Sequence, residues 1–300
     1  MGGGGPVELE KGEEGETVFD RALKRAMRGG VTGAAAQGVN VITLMWLRTT
    51  MNYQMANGGT MLNTIKLLFK EGGVPRFYRG LIPALIGSPI SRFGDTFANA
   101  GALAATEKID APIFVKTMLA SAAAGGMRIF LMPIDAWKTN KQVHGESGLQ
   151  GLMDKARSVP NRSIANLYGW NVMWHGGLAA ATATAVGHWP WFVTYNYLNA
   201  YLGWNAPEDG HLKRTARNAG IGLAASFVSD VSSNSIRVLK TYRQTAKVPI
   251  GYVAAAKQII AKDGLIGWNG LLFRGLQTRI VSHGINSAVF TVAWKLFQDA

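Results

Sequence analysis

Two ionisable side chains stand inside stretches that otherwise carry no charge: Arg128 in GGMRIFLM and Asp230 in SFVSDVSS. A guanidinium offers a planar fork of donors that fits a carboxylate or a phosphate. A carboxylate sunk in apolar surroundings needs a cation or a cavity beside it. Arg128 and Asp230 are therefore expected to line a cavity and to pair, either as part of an anion site or as a purely structural ion pair. Ser91-Arg92-Phe93-Gly94-Asp95 is a third such place. Arg92 and Asp95 share one helix face, so they pair locally or leave the fork of Arg92 for a ligand. The aromatic run at Trp189, Trp191, Phe192, Tyr195, Tyr197 and Trp204 reads as a stacking surface or, more simply, as lipid-facing and interfacial anchors. There is no Walker loop, GxSxG elbow or HExxH, and the five histidines lack metal-ligand spacing. No enzyme, cofactor or metal centre is expected, and the absence of cysteine excludes disulfides and thiol nucleophiles.

These groups need long helices to carry them. The 300 residues are 48% hydrophobic and only 16% charged. Mean hydropathy is a modest +0.07, which fits helices that also line something polar. No Asp, Glu, Lys or Arg occurs between Ser163 and Pro207, or between Gly29 and Leu47, and both windows read as membrane helices. The net charge of +13 raises nucleic acid or an acidic membrane surface as a partner. The cations cluster at the ends of apolar segments (Arg21, Lys24, Arg25, Arg28; Arg237, Lys240, Arg243), which favours the membrane and argues against nucleic acid. Residues 1–17, Gly-rich and then acidic, read as a solvated tail without a cleaved presequence, and Pro6 breaks a myristoylation signal.

Short strings recur along the chain. PIDAWKTNKQ starts at Pro133, SIRVLKTYRQ at Ser235, and a weaker copy, TLMWLRTTMN, at Thr43. A second set is KEGGVPRFYRG from Lys70, NLYGW from Asn166 and KDGLIGWNGLLFRG from Lys262. Three units follow, at 18–110, 111–208 and 209–300, each a long helix, a polar segment with a short amphipathic helix, a glycine turn and a second long helix. The expected long helices are 21–54, 81–107, 112–143, 172–204, 212–246 and 275–298.

On these strings the chain resembles the mitochondrial carrier family, over residues 20–299. Pro133, Asp135, Lys138 and Gln142 match the motif that ends each odd helix of that family. Phe77-Tyr78-Arg79-Gly80 and Phe273-Arg274-Gly275 match its glycine turn. The resemblance implies an all-α membrane protein of six transmembrane helices in a pseudo-threefold barrel, with short matrix-side helices, in the inner mitochondrial membrane. It implies a gate at Arg48, Pro133, Asp135, Lys138, Arg237 and Lys240, with acid positions held by Met45, Asp135 and Arg237. Only one proline and one acid remain there, so the four cations are expected to repel rather than latch. The opposite gate, at Ala100 and Leu103, Ala200 and Gly203, and Lys295 and Gln298, holds no charge pair. The family's contact positions map to Gly87-Ser88, Gly187-His188 and Ser282-His283, and a histidine there binds a ligand, moves a proton or simply packs.

The function expected from this resemblance is a divergent carrier of a small anionic metabolite, with Arg92, Arg128 and Arg237 binding the anion and Asp230 moderating the charge. The alternative is a transport-inactive homologue serving as a structural subunit of a larger inner-membrane complex of respiratory or ATP synthase type. Membrane lipids, cardiolipin among them, are the remaining expected partners. The same fold in a plastid or peroxisomal membrane would change the address and not the mechanism.

Overall fold

The structure, a computed structural model, describes residues 30–105, 113–159, 164–202 and 211–298. The described residues form ten α-helices and no strand. Long helices are α1 (Gly30–Asn57), α3 (Leu81–Ala105), α4 (Ile113–Phe130) with α5 (Met132–His144), α7 (Gly177–Tyr201), α8 (His211–Thr245) and α10 (Leu276–Gln298). Short ones are α2 (Met61–Phe77), α6 (Gly148–Arg157) and α9 (Tyr252–Asp263). The expected tail at 1–17 lies outside the described residues.

A break beside Pro133 divides α4 from α5, whereas α3 and α7 run on through Pro89 and Pro190. Pro133, the second residue of α5, has no N–H to offer the preceding turn, and the helix is interrupted at Leu131. Thr43, the expected counterpart on α1, and Ser235 on α8 keep their N–H groups. Both of those helices run through without interruption. The long helices close into a ring: α1 packs on α3, α3 on α4, α4 on α7, α7 on α8, α8 on α10, and α10 back on α1.

Three glycines in the left-handed region, Gly80 (φ 96°), Gly176 (φ 93°) and Gly275 (φ 71°), begin the second long helix of each pair. A Cβ on Gly80 would lie 3.0 Å from the Lys138 carbonyl, one on Gly176 3.1 Å from the Lys240 carbonyl, and one on Gly275 3.4 Å from the Met51 carbonyl. Glycine is required twice over, by its φ and by the helix against it. The turn before α7 is Trp174-His175-Gly176. NLYGW lies earlier, in a 3-10 segment (Ile164–Trp174), and is not itself the turn.

These contacts also correct the register of α1. Met51 meets Gly275 as Lys138 meets Gly80, and Gly58 (φ 83°) follows α1 as Gly145 (φ 69°) follows α5. Asp135 therefore corresponds to Arg48 and Lys138 to Met51, three residues on from the alignment begun at Thr43. That string has lost both its proline and its acid, so nothing in it fixed the register.

Each group of helices also caps the next. Arg76 donates to the Gln142 and Val143 carbonyls at 2.9 and 2.8 Å, at the end of α5. Lys155 donates to the Arg243 and Gln244 carbonyls at 2.8 and 3.2 Å, at the end of α8. Arg274 reaches the Ala56 carbonyl at 3.5 Å, at the end of α1, and pairs with Asp263. A cation here satisfies carbonyls that the helix cannot and meets the negative end of its dipole.

Among the described residues, no helix is long and apolar enough to cross a membrane. The expectation drawn from the charge-free windows is corrected to that extent. Lack of charge is not hydrophobicity: α7 carries no Asp, Glu, Lys or Arg, but its 25 residues include glycine, threonine, asparagine, histidine and tyrosine.

Burial, and then the charge of Arg243, hold the Lys155 ammonium down at about 8, against 10.5 for a free lysine. The unfolded chain binds this proton more tightly, so the cost is fully present below pH 8 and is relieved as pH rises toward 10.5. Lys155→Met strands two carbonyls and should cost about 1–3 kcal/mol in thermal unfolding at pH 7. The margin of the wild type over the variant should widen between pH 8 and 10. Equal melting temperatures at pH 7 would show that Lys155 is no cap.

Candidate functional site

Two polar clusters occupy the middle of the ring. The first closes one end. Asp135 Oδ1 accepts from Lys138 Nζ at 2.5 Å, and Oδ2 accepts from Lys240 Nζ at 2.5 Å and Gln244 Nε2 at 3.4 Å. Gln142 extends the layer to α1, taking a bond from Asn52 at 2.5 Å and donating to the Met45 sulfur at 3.6 Å. The cations expected to repel one another are thus partly latched, because one carboxylate placed between two ammonium groups attracts both and offsets one of the two charges. Arg48 stands apart from Lys138 chemically and donates to Asn40 Oδ1 at 2.9 Å. Through the corrected register it occupies an acid position, opposite Lys138, while Met51 takes the base position opposite Arg237. Of three possible bridges between neighbouring helices at this layer, only Asp135–Lys240 is formed among the described residues.

The second cluster lies deeper. Asp230 on α8 is 3% exposed, and its Oδ1 accepts from Arg279 Nε of α10 at 2.7 Å. Its Oδ2 lies 2.7 Å from Nδ1 of His283, one turn further along α10. Two oxygens on two cationic or donating partners offset the cost of burying the charge. Arg237 donates to the Ser233 hydroxyl at 3.2 Å, and the charges of Arg279, Arg128 and Asp230 reach it. His188 on α7 feels Arg128 and Arg237 in turn. Gly187 brings α7 close to α8: a Cβ there would lie 3.0 Å from Ser229 Oγ and 3.3 Å from Ser233 Oγ. Ser282 is buried beside His283. Among the described residues, Arg128, Arg237 and Arg279 gather at this centre, and Asp230 pairs with Arg279 and His283.

The residues picked from sequence divide as follows. Arg128, Gly187, His188, Asp230, Arg237 and His283 come together here from α4, α7, α8 and α10, Ser282 is buried on α10, and Pro133, Asp135, Lys138 and Lys240 belong to the closing layer. Asp230 does not depend on Arg128 for its ion pair; its partners are Arg279 and His283. Arg92 and Asp95 fall on α3, but their side chains lie outside the described residues, as do those of Ala100, Leu103, Lys295 and Gln298 and all of Gly203. Sequence reading missed Arg279. The signal was available: it is a charge in an apolar segment, one turn before His283 on the same face. Among the described residues, no group of three or more His, Asp or Glu side chains could hold a metal ion.

Residues 20–100 match the family model described as mitochondrial carrier protein. No curated protein matches the chain.

Asp135→Asn should leave Lys138 and Lys240 facing each other without an anion and cost about 1–3 kcal/mol. Adding Lys240→Gln should restore part of the loss. A double-mutant cycle by thermal or denaturant unfolding should give a coupling of about 1 kcal/mol or more. Strict additivity would mean that the bridge holds nothing together.

Proposed function

We propose, from the premise that the chain belongs to the mitochondrial carrier family, that it moves a small anionic metabolite across a membrane by alternating access. The observation that carries this reading is the gathering of buried guanidinium groups among the described residues at the centre: Arg279 pairs with Asp230, and the charges of Arg128 and Arg279 reach Arg237. A carboxylate or phosphate entering between these helices finds donors already oriented and partly desolvated, so little reorganisation opposes its binding.

The membrane setting is supported by a pattern that mean hydropathy does not capture. Apolar side chains face outward in stripes one turn apart: Ile82, Ile86 and Ile90 on α3, Trp189, Val193 and Tyr197 on α7, Leu223, Phe227 and Val231 on α8, and Val281 and Ile285 on α10. Polar side chains are buried on the inner faces: Asn40, Gln54, Ser229, Asp230, Ser233, Asn234, Thr278 and Arg279. A protein in water reverses this arrangement. A span lined by polar residues inside and lipid outside averages to a middling hydropathy. Three cyclic caps and three glycine turns support a three-repeat architecture with units at 18–110, 111–208 and 209–300. The family's location points to the inner mitochondrial membrane.

Alternating access requires two states held by comparable contacts. The single bridge from Asp135 supplies the closure on one side. The same observation favours a second reading, a transport-inactive subunit of a larger membrane complex, because two of the three possible bridges are missing. In reconstituted liposomes the first reading predicts uptake of at least one member of a panel of dicarboxylates, phosphate and nucleotides. Arg279→Gln should reduce that uptake at least tenfold while the protein still folds. No uptake by folded wild type, together with co-migration in a larger native complex, would favour the second reading over the first.

A further inference from the structure

We propose, resting on the membrane reading above, that the loop between α9 and α10 is an interfacial anchor, its apolar tip sunk among lipid chains and the lysines of α9 held at acidic headgroups. KDGLIGWNGLLFRG is three residues longer than KEGGVPRFYRG, and the surplus forms a closed loop. At its base Leu271 and Leu272 donate to the Gly264 and Leu265 carbonyls, both at 3.2 Å, and Gly270 donates to the Gly267 carbonyl at 2.9 Å. Gly267 turns the tip in the left-handed region (φ 110°). A Cβ on Gly270 would lie 2.9 Å from the Leu265 and Ile266 carbonyl oxygens, so only glycine lets the two arms meet. Leu271 is buried with Met55, Val238 and Ile259 and plugs the base into the core. Asn269 pins one flank: its carbonyl accepts from Arg274 Nε at 2.9 Å, and its Oδ1 accepts from the Gly59 N–H at 3.0 Å.

This frame holds Leu265, Ile266 and Trp268 outward, 45%, 74% and 64% exposed. The Trp268 ring meets Phe273 at 6.4 Å, but most of it stays uncovered. An ordered loop gains nothing in water by holding three large apolar side chains away from its core. Lipid removes that exposure, and tryptophan is favoured at headgroup level, where its ring is buried while its N–H stays hydrated. The loop ends where α10 begins, and α10 carries Val281 and Ile285 outward in the stripe assigned to lipid. It therefore stands at the end of a span, where a bilayer gives way to water. Charge selects acidic lipid. Lys257 and Lys262 on α9 are exposed, whereas Asp263 is tied to Arg274. Val253 and Ile260, 70% and 41% exposed, lie four residues before and three after Lys257, on the same face. That mixture of apolar and basic side chains suits a helix lying in the interface, with lysine stems along the lipid and ammonium groups at phosphates.

Spin labelling of the full chain, which contains no cysteine, tests this. Ile266→Cys, Trp268→Cys and, as a lipid-facing reference, Leu223→Cys are labelled one at a time in vesicles of phosphatidylcholine with and without phosphatidylglycerol. Each replaces an exposed side chain, and unchanged thermal unfolding confirms that the label reports the native protein. All three labels should be relaxed by dissolved oxygen in preference to a water-soluble nickel chelate, and the two in the loop should lie deeper when acidic lipid is present. Adding Lys257→Gln and Lys262→Gln should abolish that deepening. Nickel preference in the loop with oxygen preference at Leu223→Cys overturns the anchor and leaves the membrane reading standing. Shielding of the loop labels from both reagents, the signature of burial against protein, overturns it too. A deepening that is absent from the parent, or that survives loss of both lysines, overturns the headgroup contact. Nickel preference at all three positions overturns the anchor and the membrane reading together.

Discussion

A carboxylate stays ionised among packed helices only when cations or donors hold both of its oxygens, and the placement of Asp230 rests on that constraint. Its partners, Arg279 and His283, come from α10, whereas it sits on α8. The two helices are bound at mid-length by charge as well as by shape. Structure and proposed activity thus meet in one interaction: the ion pair that joins the helices also fixes the Arg279 guanidinium at the centre, where the proposed anion would bind. The Asp135 layer obeys the same constraint nearer the end of the ring, where one carboxylate between Lys138 and Lys240 replaces a full set of bridges.

What keeps the ring closed is a second, cyclic device. The ends of α1, α5 and α8 each receive a cation from another part of the chain, Arg274, Arg76 and Lys155 respectively. The chemistry is the same three times, but the donors stand at unrelated places in their strings. Arg76 precedes the Tyr78-Arg79-Gly80 turn, Arg274 lies within its own, and Lys155 sits on α6 well before Trp174-His175-Gly176. His175, at the place of the turn arginine, is buried beside Lys155 and Arg243, and its imidazole is held down at about 4 by burial first and then by those charges. Arg79 pairs instead with Glu146 at the surface, at 2.5 Å.

This divergence explains which parts of the structure were legible in the sequence. A bend at Pro133 was legible because proline removes a backbone donor, but 112–143 was expected as one helix and is divided at Leu131; the helices carrying Thr43 and Ser235 run on as expected. The glycine turns at Gly80 and Gly275 could be read because a positive φ beside a packed helix tolerates no other residue. The third was placed too early, at NLYGW, since the glycine that counts is preceded by histidine instead of arginine. The register of α1 could not be found from a string that had lost its proline and acid, and only the contacts at Gly275 and Gly58 fix it. At the centre, Arg128 and Asp230 stood out as charges in apolar stretches. Arg279 was passed over, so the carboxylate was assigned a different partner. Charge-free windows revealed long helices but not their lipophilicity, because polar uncharged residues fill the inward faces.

The central claim is that the polar faces of these helices meet around an aqueous site while the apolar faces meet lipid. The chain contains no cysteine, so single cysteines report cleanly. In proteoliposomes, cysteine introduced at His283, which is 37% exposed, should react with a charged thiol reagent, whereas cysteine at Leu223 or Phe227 should resist the charged reagent and react with a lipid-soluble one. Charged-reagent labelling of the Leu223 and Phe227 positions, with none at His283, would contradict the account.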